Sequence, residues 1–86
     1  MEYNIRYPSQ VEAQLEKLDN SIAQRIYDKI WMLRSNPNLG KPLKSAWKNY
    51  RRLRIGKYRI IYEISESEIT IVKIGHRNDV YKLFRF

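Results

Sequence analysis

Arg52, Arg54 and Arg59 are the side chains of this sequence best placed to do chemistry. They lie in a stretch, residues 47–64, where basic and apolar residues alternate. A period of two puts all three arginines on one face of a β-hairpin. Planar guanidinium groups gathered on one face match the geometry of phosphate, so the arrangement reads as a preorganised anion site. Arg54 falls directly across from Arg59, and like charges opposed across a strand pair cost stability. The bland alternative is a solvated strand face, on which long basic side chains are harmless.

The turn sets that register. Gly56-Lys57 lies between two β-rich runs, and a two-residue loop with glycine first is the signal for a type II′ hairpin. Ile55 then faces Tyr58, Arg54 faces Arg59, Leu53 faces Ile60 and Arg52 faces Ile61. One face carries Leu53, Ile55, Tyr58, Ile60, Tyr62 and Ile64. The other carries Tyr50, Arg52, Arg54, Arg59, Ile61 and Glu63, and is expected to be open.

Charge is distributed unevenly along the 86 residues, whose net charge is +8. Acidic and basic side chains cancel over residues 1–40, so the whole excess lies in 41–86. Residues 41–59 hold Lys41, Lys44, Lys48, Arg51, Arg52, Arg54, Lys57 and Arg59 and no acid. A block this one-sided points to a polyanionic partner, most simply nucleic acid. Its strand periodicity argues against a membrane-surface helix. With no cysteine there is no disulfide. No segment has the length of a signal peptide's apolar region or of a membrane span. The expectation is a soluble cytoplasmic protein.

The elements that must position the arginines are legible in outline. Tyr3, Ile5 and Tyr7 alternate with polar residues, predicting a first strand ended by Pro8. Ser9-Gln-Val-Glu12 has the pattern of a capping box. Val11, Leu15 and Leu18 make the apolar stripe of a short helix. Asp19 or Asn20 opens a second helix, with Ile22, Ile26, Ile30 and Leu33 as its buried stripe and Ala23, Tyr27 and Trp31 beside it, read as core. Residues 36–40, Asn-Pro-Asn-Leu-Gly, end it. Lys41 to Ala46 reads as a basic connection. Ile69 to Ile74 reads as a central strand because it is apolar on both faces. The expected fold is one α+β domain spanning residues 1–86. It has an N-terminal strand, a two-helix hairpin and a three-stranded antiparallel meander, with the helices on one sheet face.

Three pieces then form a pattern: Leu43-Lys44, the run Tyr50-Arg-Arg-Leu-Arg-Ile-Gly-Lys-Tyr-Arg-Ile-Ile-Tyr62, and Ile74-Gly-His-Arg-Asn-Asp-Val-Tyr81. In this order they resemble the RelE/ParE superfamily of type II toxin–antitoxin toxins, particularly its RelE branch. The resemblance covers almost the whole chain. It implies a RelE-like fold and an mRNA interferase that cuts messages in the ribosomal A site. It further implies a RelB-like antitoxin wrapped around the toxin, and neither metal nor other cofactor. Carried over position by position, the site is Arg52 and Arg54 before the turn, Arg59 after it, then Arg77 and Tyr81. Lys41, Lys44, Lys48, Arg51 and Lys57 are the flanking cations expected to contact RNA.

Cleavage by a ribose 2′-hydroxyl requires that oxygen to lose a proton, the phosphorane's charge to be stabilised and the 5′-oxygen to gain a proton. Arg54 and Arg59 suit the scissile phosphate. Arg77 suits the same charge or the leaving oxygen, and Tyr81 suits stacking on a splayed base. The best-known RelE members have lysines at the positions of Arg52 and Arg54, and lysine gives up a proton far more readily than arginine. His76, the sole histidine, is the candidate replacement base; its alternative is a structural role at a strand end. Glu63 is a second candidate base, or an ion-pair partner for Arg52. Two further readings remain: a ParE-like toxin that blocks DNA gyrase by binding without cleaving, and a plain RNA- or ribosome-binding module.

Overall fold

The computed structural model describes residues 2–43 and 49–78. Strand β1 (Asn4–Arg6) leads into helices α1 (Ser9–Glu16) and α2 (Asn20–Trp31), followed by single 3-10 turns at Met32–Arg34 and Pro37–Leu39. Strands β2 (Lys41–Pro42), β3 (Tyr50–Ile55), β4 (Tyr58–Ser65) and β5 (Glu68–His76) follow. The five strands form one sheet in the order β1-β5-β4-β3-β2. β1 runs parallel to β5, and the other pairs are antiparallel.

The hairpin has the register set by its turn: Ile55 pairs with Tyr58, Arg54 with Arg59, Leu53 with Ile60 and Arg52 with Ile61. Gly56 takes φ +56°, the left-handed value that the first turn position demands and that glycine adopts without strain. The α+β architecture with both helices on one sheet face is as expected. Val11 and Leu15 of α1, Ile26 and Ile30 of α2, and Leu33 pack on Leu53, Ile60, Tyr62, Ile69, Ile71 and Ile74. β5 is central, between β1 and β4. Beyond the end of β1 its Ile74 N–H finds the Gln14 side-chain oxygen at 3.1 Å, so α1 supplies the acceptor that the short strand does not.

Four details differ from the expectation. The Ser9 capping box does not form; Pro8 is the N-cap, and its carbonyl accepts the Val11 and Glu12 N–H groups. Its extended backbone already turns the chain into the helix, leaving Ser9 inside the first turn. Trp31 is 62% exposed instead of buried, with the Arg34 guanidinium 4.3 Å from its ring centroid. Lys41–Pro42, expected as plain connection, pairs with Arg51 and Arg52 as a two-residue edge strand. Finally, β5 is irregular. Ile61 pairs with Lys73 and Tyr62 with Ile71, so Val72 is an extra residue bulged out of the ladder. That bulge explains the apolar character on both faces of β5: Ile69, Ile71 and Ile74 face the helices, while Val72 packs with Ile61, Leu43 and Tyr50 in a small outer cluster. The arginine face is therefore partly covered.

Candidate phosphate-binding cleft

β2 pairs with β3 at Arg51 and Arg52, and the Leu43 N–H reaches the Tyr50 carbonyl at 3.0 Å, so among the described residues the edge from Leu53 to Ile55 has no strand partner. A cleft of about 340 Å³ occupies the gap, lined by Lys29, Leu39, Gly40, Lys41, Arg52, Leu53, Arg54 and Arg59. Five of these eight residues are cations and none is an acid. Such a surface concentrates positive potential inside a concave wall and attracts anions.

Arg59 anchors the cleft. It is only 9% exposed, and its Nη1 donates to the carbonyls of Gly56 and Tyr58, both at 3.0 Å. Those bonds hold the guanidinium against the hairpin turn. No acid pairs with it among the described residues, where the ion pairs are Arg6–Glu68 and Arg34–Glu2. A buried cation without a counterion is costly, and a bound anion would relieve that cost. Arg54, directly opposite, and Arg52 are exposed and extend the charge along the strand.

The opposite wall is built by a backbone clamp. The Gly40 N–H donates to the Tyr62 hydroxyl at 2.9 Å, and that hydroxyl donates to the Pro37 carbonyl at 2.7 Å. Arg51 Nη1 donates to the Gly40 carbonyl at 2.6 Å. Burial pushes the Tyr62 hydroxyl above its ordinary pKa, while the Gly40 amide and the Arg51 charge pull it back. It therefore stays protonated near neutral pH and able to donate. Phenylalanine at 62 strands the Pro37 carbonyl and the Gly40 N–H, so Tyr62→Phe should cost about 1–3 kcal/mol. A thermal melt should fall by roughly 4–8 °C per kcal/mol in a chain of this size, and an unchanged melting point would remove the clamp from the account.

The structure brings together Lys41, Arg52, Arg54 and Arg59. Arg51 is placed elsewhere: it shares the face of Leu53 and is engaged with the 38–40 backbone, which assigns it to the clamp instead of RNA contact. Lys57 is exposed at the hairpin tip, and its carbonyl accepts the Arg77 N–H at 2.8 Å, setting the exposed Arg77 beside the turn. His76 is not brought to the arginines. It pairs with Tyr58 and so lies on the helix side of the sheet, its ring 6.1 Å from the Tyr58 ring. Strict alternation from Ile69 would have put residue 76 on the outer face; the Val72 bulge reverses it. Glu63 is half-buried opposite Tyr50 and has no ion pair with Arg52 among the described residues. Lys44, Lys48 and Tyr81 lie outside the described residues. Lys29, on α2 beside the buried Ile30, joins the cleft without any local sequence signal.

Two helices on one face of a mixed sheet, with a cationic cleft at the hairpin edge, define a RelE-type toxin fold. The toxin–antitoxin complex RelBE2 from Mycobacterium tuberculosis matches with a TM-score of 0.80 at 26% identity, over 90% of this chain and 100% of that one. A mutant of Escherichia coli toxin RelE in the free state shares the fold at 12% identity, with a TM-score of 0.77 over 99% of this chain and 100% of that one. Toxin RelG of Mycobacterium tuberculosis is 28% identical over 86 residues, 95% of this chain and 99% of that protein. The family model described as ParE toxin of type II toxin-antitoxin system, parDE, matches residues 5–81, and the chain belongs to that family, within the RelE/ParE superfamily.

Proposed function

We propose that this toxin is a ribosome-dependent mRNA endonuclease that holds the scissile phosphate in the Arg59 cleft. The observation that carries the reading is the buried Arg59, with no acidic partner among the described residues, and Lys41, Arg52 and Arg54 around one concavity. A binding surface needs no guanidinium held out of water on two carbonyls. A transition state that gains negative charge does, because fixed donors in a dry setting stabilise developing charge at little reorganisation cost.

The ribose 2′-oxygen attacks phosphorus, its proton passes to water, and the phosphorane's added charge falls to Arg54 and Arg59. The bond to the 5′-oxygen then breaks and that oxygen takes up a proton, helped by Arg77 beside the turn. The products are a 2′,3′-cyclic phosphate and a 5′-hydroxyl. Rate comes from charge stabilisation and positioning, since His76 lies on the other side of the sheet. Tyr81 is assigned to base stacking, and Lys44 and Lys48 to phosphate contact, on the resemblance alone. A message with a 2′-O-methyl group at the cut site should survive intact; cleavage there would rule out the 2′-hydroxyl route.

A RelB-like antitoxin is the proposed protein partner. Relatives of the same fold include archaeal RelE–RelB complexes from Pyrococcus horikoshii and Methanococcus jannaschii. The ParE family match supports a second reading, inhibition of DNA gyrase without cleavage. A supercoiling assay separates the two: the interferase reading expects gyrase to remain active.

A further inference from the structure

We propose that Arg25 and Lys29 of α2 hold the phosphates of the RNA strand next to the cut, in a groove that continues from the Arg59 cleft along the hairpin edge. This inference rests on the interferase reading and adds a second binding region to it.

Three depressions follow one another along the boundary between α2 and the hairpin. The cleft shares Lys29 and Arg54 with a neighbour of about 360 Å³ that is also lined by Arg25, Asp28, Met32, Ile55 and Gly56. That neighbour shares Arg25, Ile55 and Gly56 with a third, of about 280 Å³, which ends at Lys57 and Tyr58. The floor is low because Gly56 has no side chain; a Cβ there would lie 3.9 Å from Arg25 Nη2. The groove thus runs continuously from Lys41 to Lys57, with cations on both walls and apolar ledges at Ile55 and Met32.

Those helix cations, Arg25 and Lys29, have no acidic partner among the described residues. Among the described residues the one acid lining the groove, Asp28, instead accepts a hydrogen bond from Gln24 Nε2 at 2.9 Å, one helical turn back. Free charges at i and i+4 on one helix face repel each other modestly, and ordinary surface design would pair them. A groove with charge on two walls and an apolar ledge suits a single strand, whose phosphates take the cations while its sugars and bases cover the apolar surface. The strand is the one already seated in the cleft, because Lys29 and Arg54 face both spaces.

The test measures affinity for a single-stranded RNA oligonucleotide, 2′-O-methylated so that it cannot be cut, across a salt series. Each phosphate contact on a single strand contributes a slope of about −0.7 in log affinity against log salt. The double variant Arg25→Gln/Lys29→Gln should lose about 1.4 of the slope, about 25-fold in affinity over a tenfold change in salt. Arg25→Lys/Lys29→Arg, which keeps both charges, should retain the parent slope, and Lys17→Gln at the exposed position just after α1 should leave it unchanged. An unchanged slope in the glutamine variant, with parent binding intact, overturns this inference and spares the interferase reading. Weakened binding to message-free ribosomes alone moves the contacts to ribosomal RNA and overturns the assignment to the message strand. Weakened binding to an acidic antitoxin segment alone makes the groove a protein site and overturns it equally. A parent protein that binds no RNA oligonucleotide overturns this inference, while the interferase reading stands or falls separately on cleavage during translation.

Discussion

Arg59→Ala should abolish toxicity in growing cells and lower message cleavage about 10²–10³-fold, the usual loss when one preorganised donor to a developing oxyanion is removed. The same variant should melt within about 5 °C of the parent, roughly 1 kcal/mol in a chain this size. The two expectations share a cause. Arg59 is a buried cation held by the Gly56 and Tyr58 carbonyls, with no acid beside it among the described residues. Deleting it loses two hydrogen bonds but also relieves an uncompensated buried charge, so the effects on stability oppose each other. Arg59→Lys should recover little activity, because an ammonium cannot reproduce the planar fork. Arg77→Ala should lose activity in the same direction. A cleavage rate within a few fold of the parent, or a collapsed fold, would remove Arg59 from the centre of the mechanism.

Gly40→Ala should be strongly destabilising for a single added methyl group. Gly40 has an ordinary extended backbone, φ −78° and ψ 159°, so conformational freedom is not why glycine is needed. Space is. A Cβ would lie 2.6 Å from the Arg52 carbonyl oxygen, 2.7 Å from the Tyr62 hydroxyl and 2.8 Å from its ring. Backbone on β3 cannot yield without disturbing the arginine strand. Overpacking of this kind costs about 1–3 kcal/mol, and displacement of the clamp's hydrogen bonds adds to it. Lys41 would shift with the loop, so message cleavage should fall alongside the melting point. Removing the hydroxyl in a Gly40→Ala/Tyr62→Phe double variant should not restore stability, because the Arg52 carbonyl still blocks the methyl. Normal melting in Gly40→Ala would mean the wall yields freely and the cleft is not rigid.

The hairpin was legible because three local signals agreed: alternation on both strands, glycine at the first turn position, and β-branched or aromatic residues facing inward. The helix stripes at Val11, Leu15, Ile26, Ile30 and Leu33 were legible for the same reason. Elements set by distant contacts were not. β2 is two residues long and exists because Tyr62 and Arg51 fasten the loop behind it. The Val72 bulge has no local signature, since an apolar residue there also fits a regular strand buried on both sides. That one extra residue puts His76 on the face away from the arginines. The grouping of Arg52, Arg54 and Arg59 could be read from spacing, as could the basic character of Lys41. Lys29 could not, because the approach of α2 to the open edge of β3 is a tertiary fact. Trp31 shows the converse: its place beside an apolar stripe suggested core, while it is 62% exposed with the Arg34 guanidinium over its ring.

Whether the Arg59 cleft cuts messages on the ribosome is read most directly by in vitro translation of a defined message with parent protein or Arg59→Ala, with new 5′ ends mapped by primer extension. New ends within the A-site codon, bearing 5′-hydroxyls, are expected with the parent and none with the variant. An intact message with the parent protein, alongside blocked gyrase supercoiling, would contradict the interferase reading and make the arginine cleft a protein-binding surface.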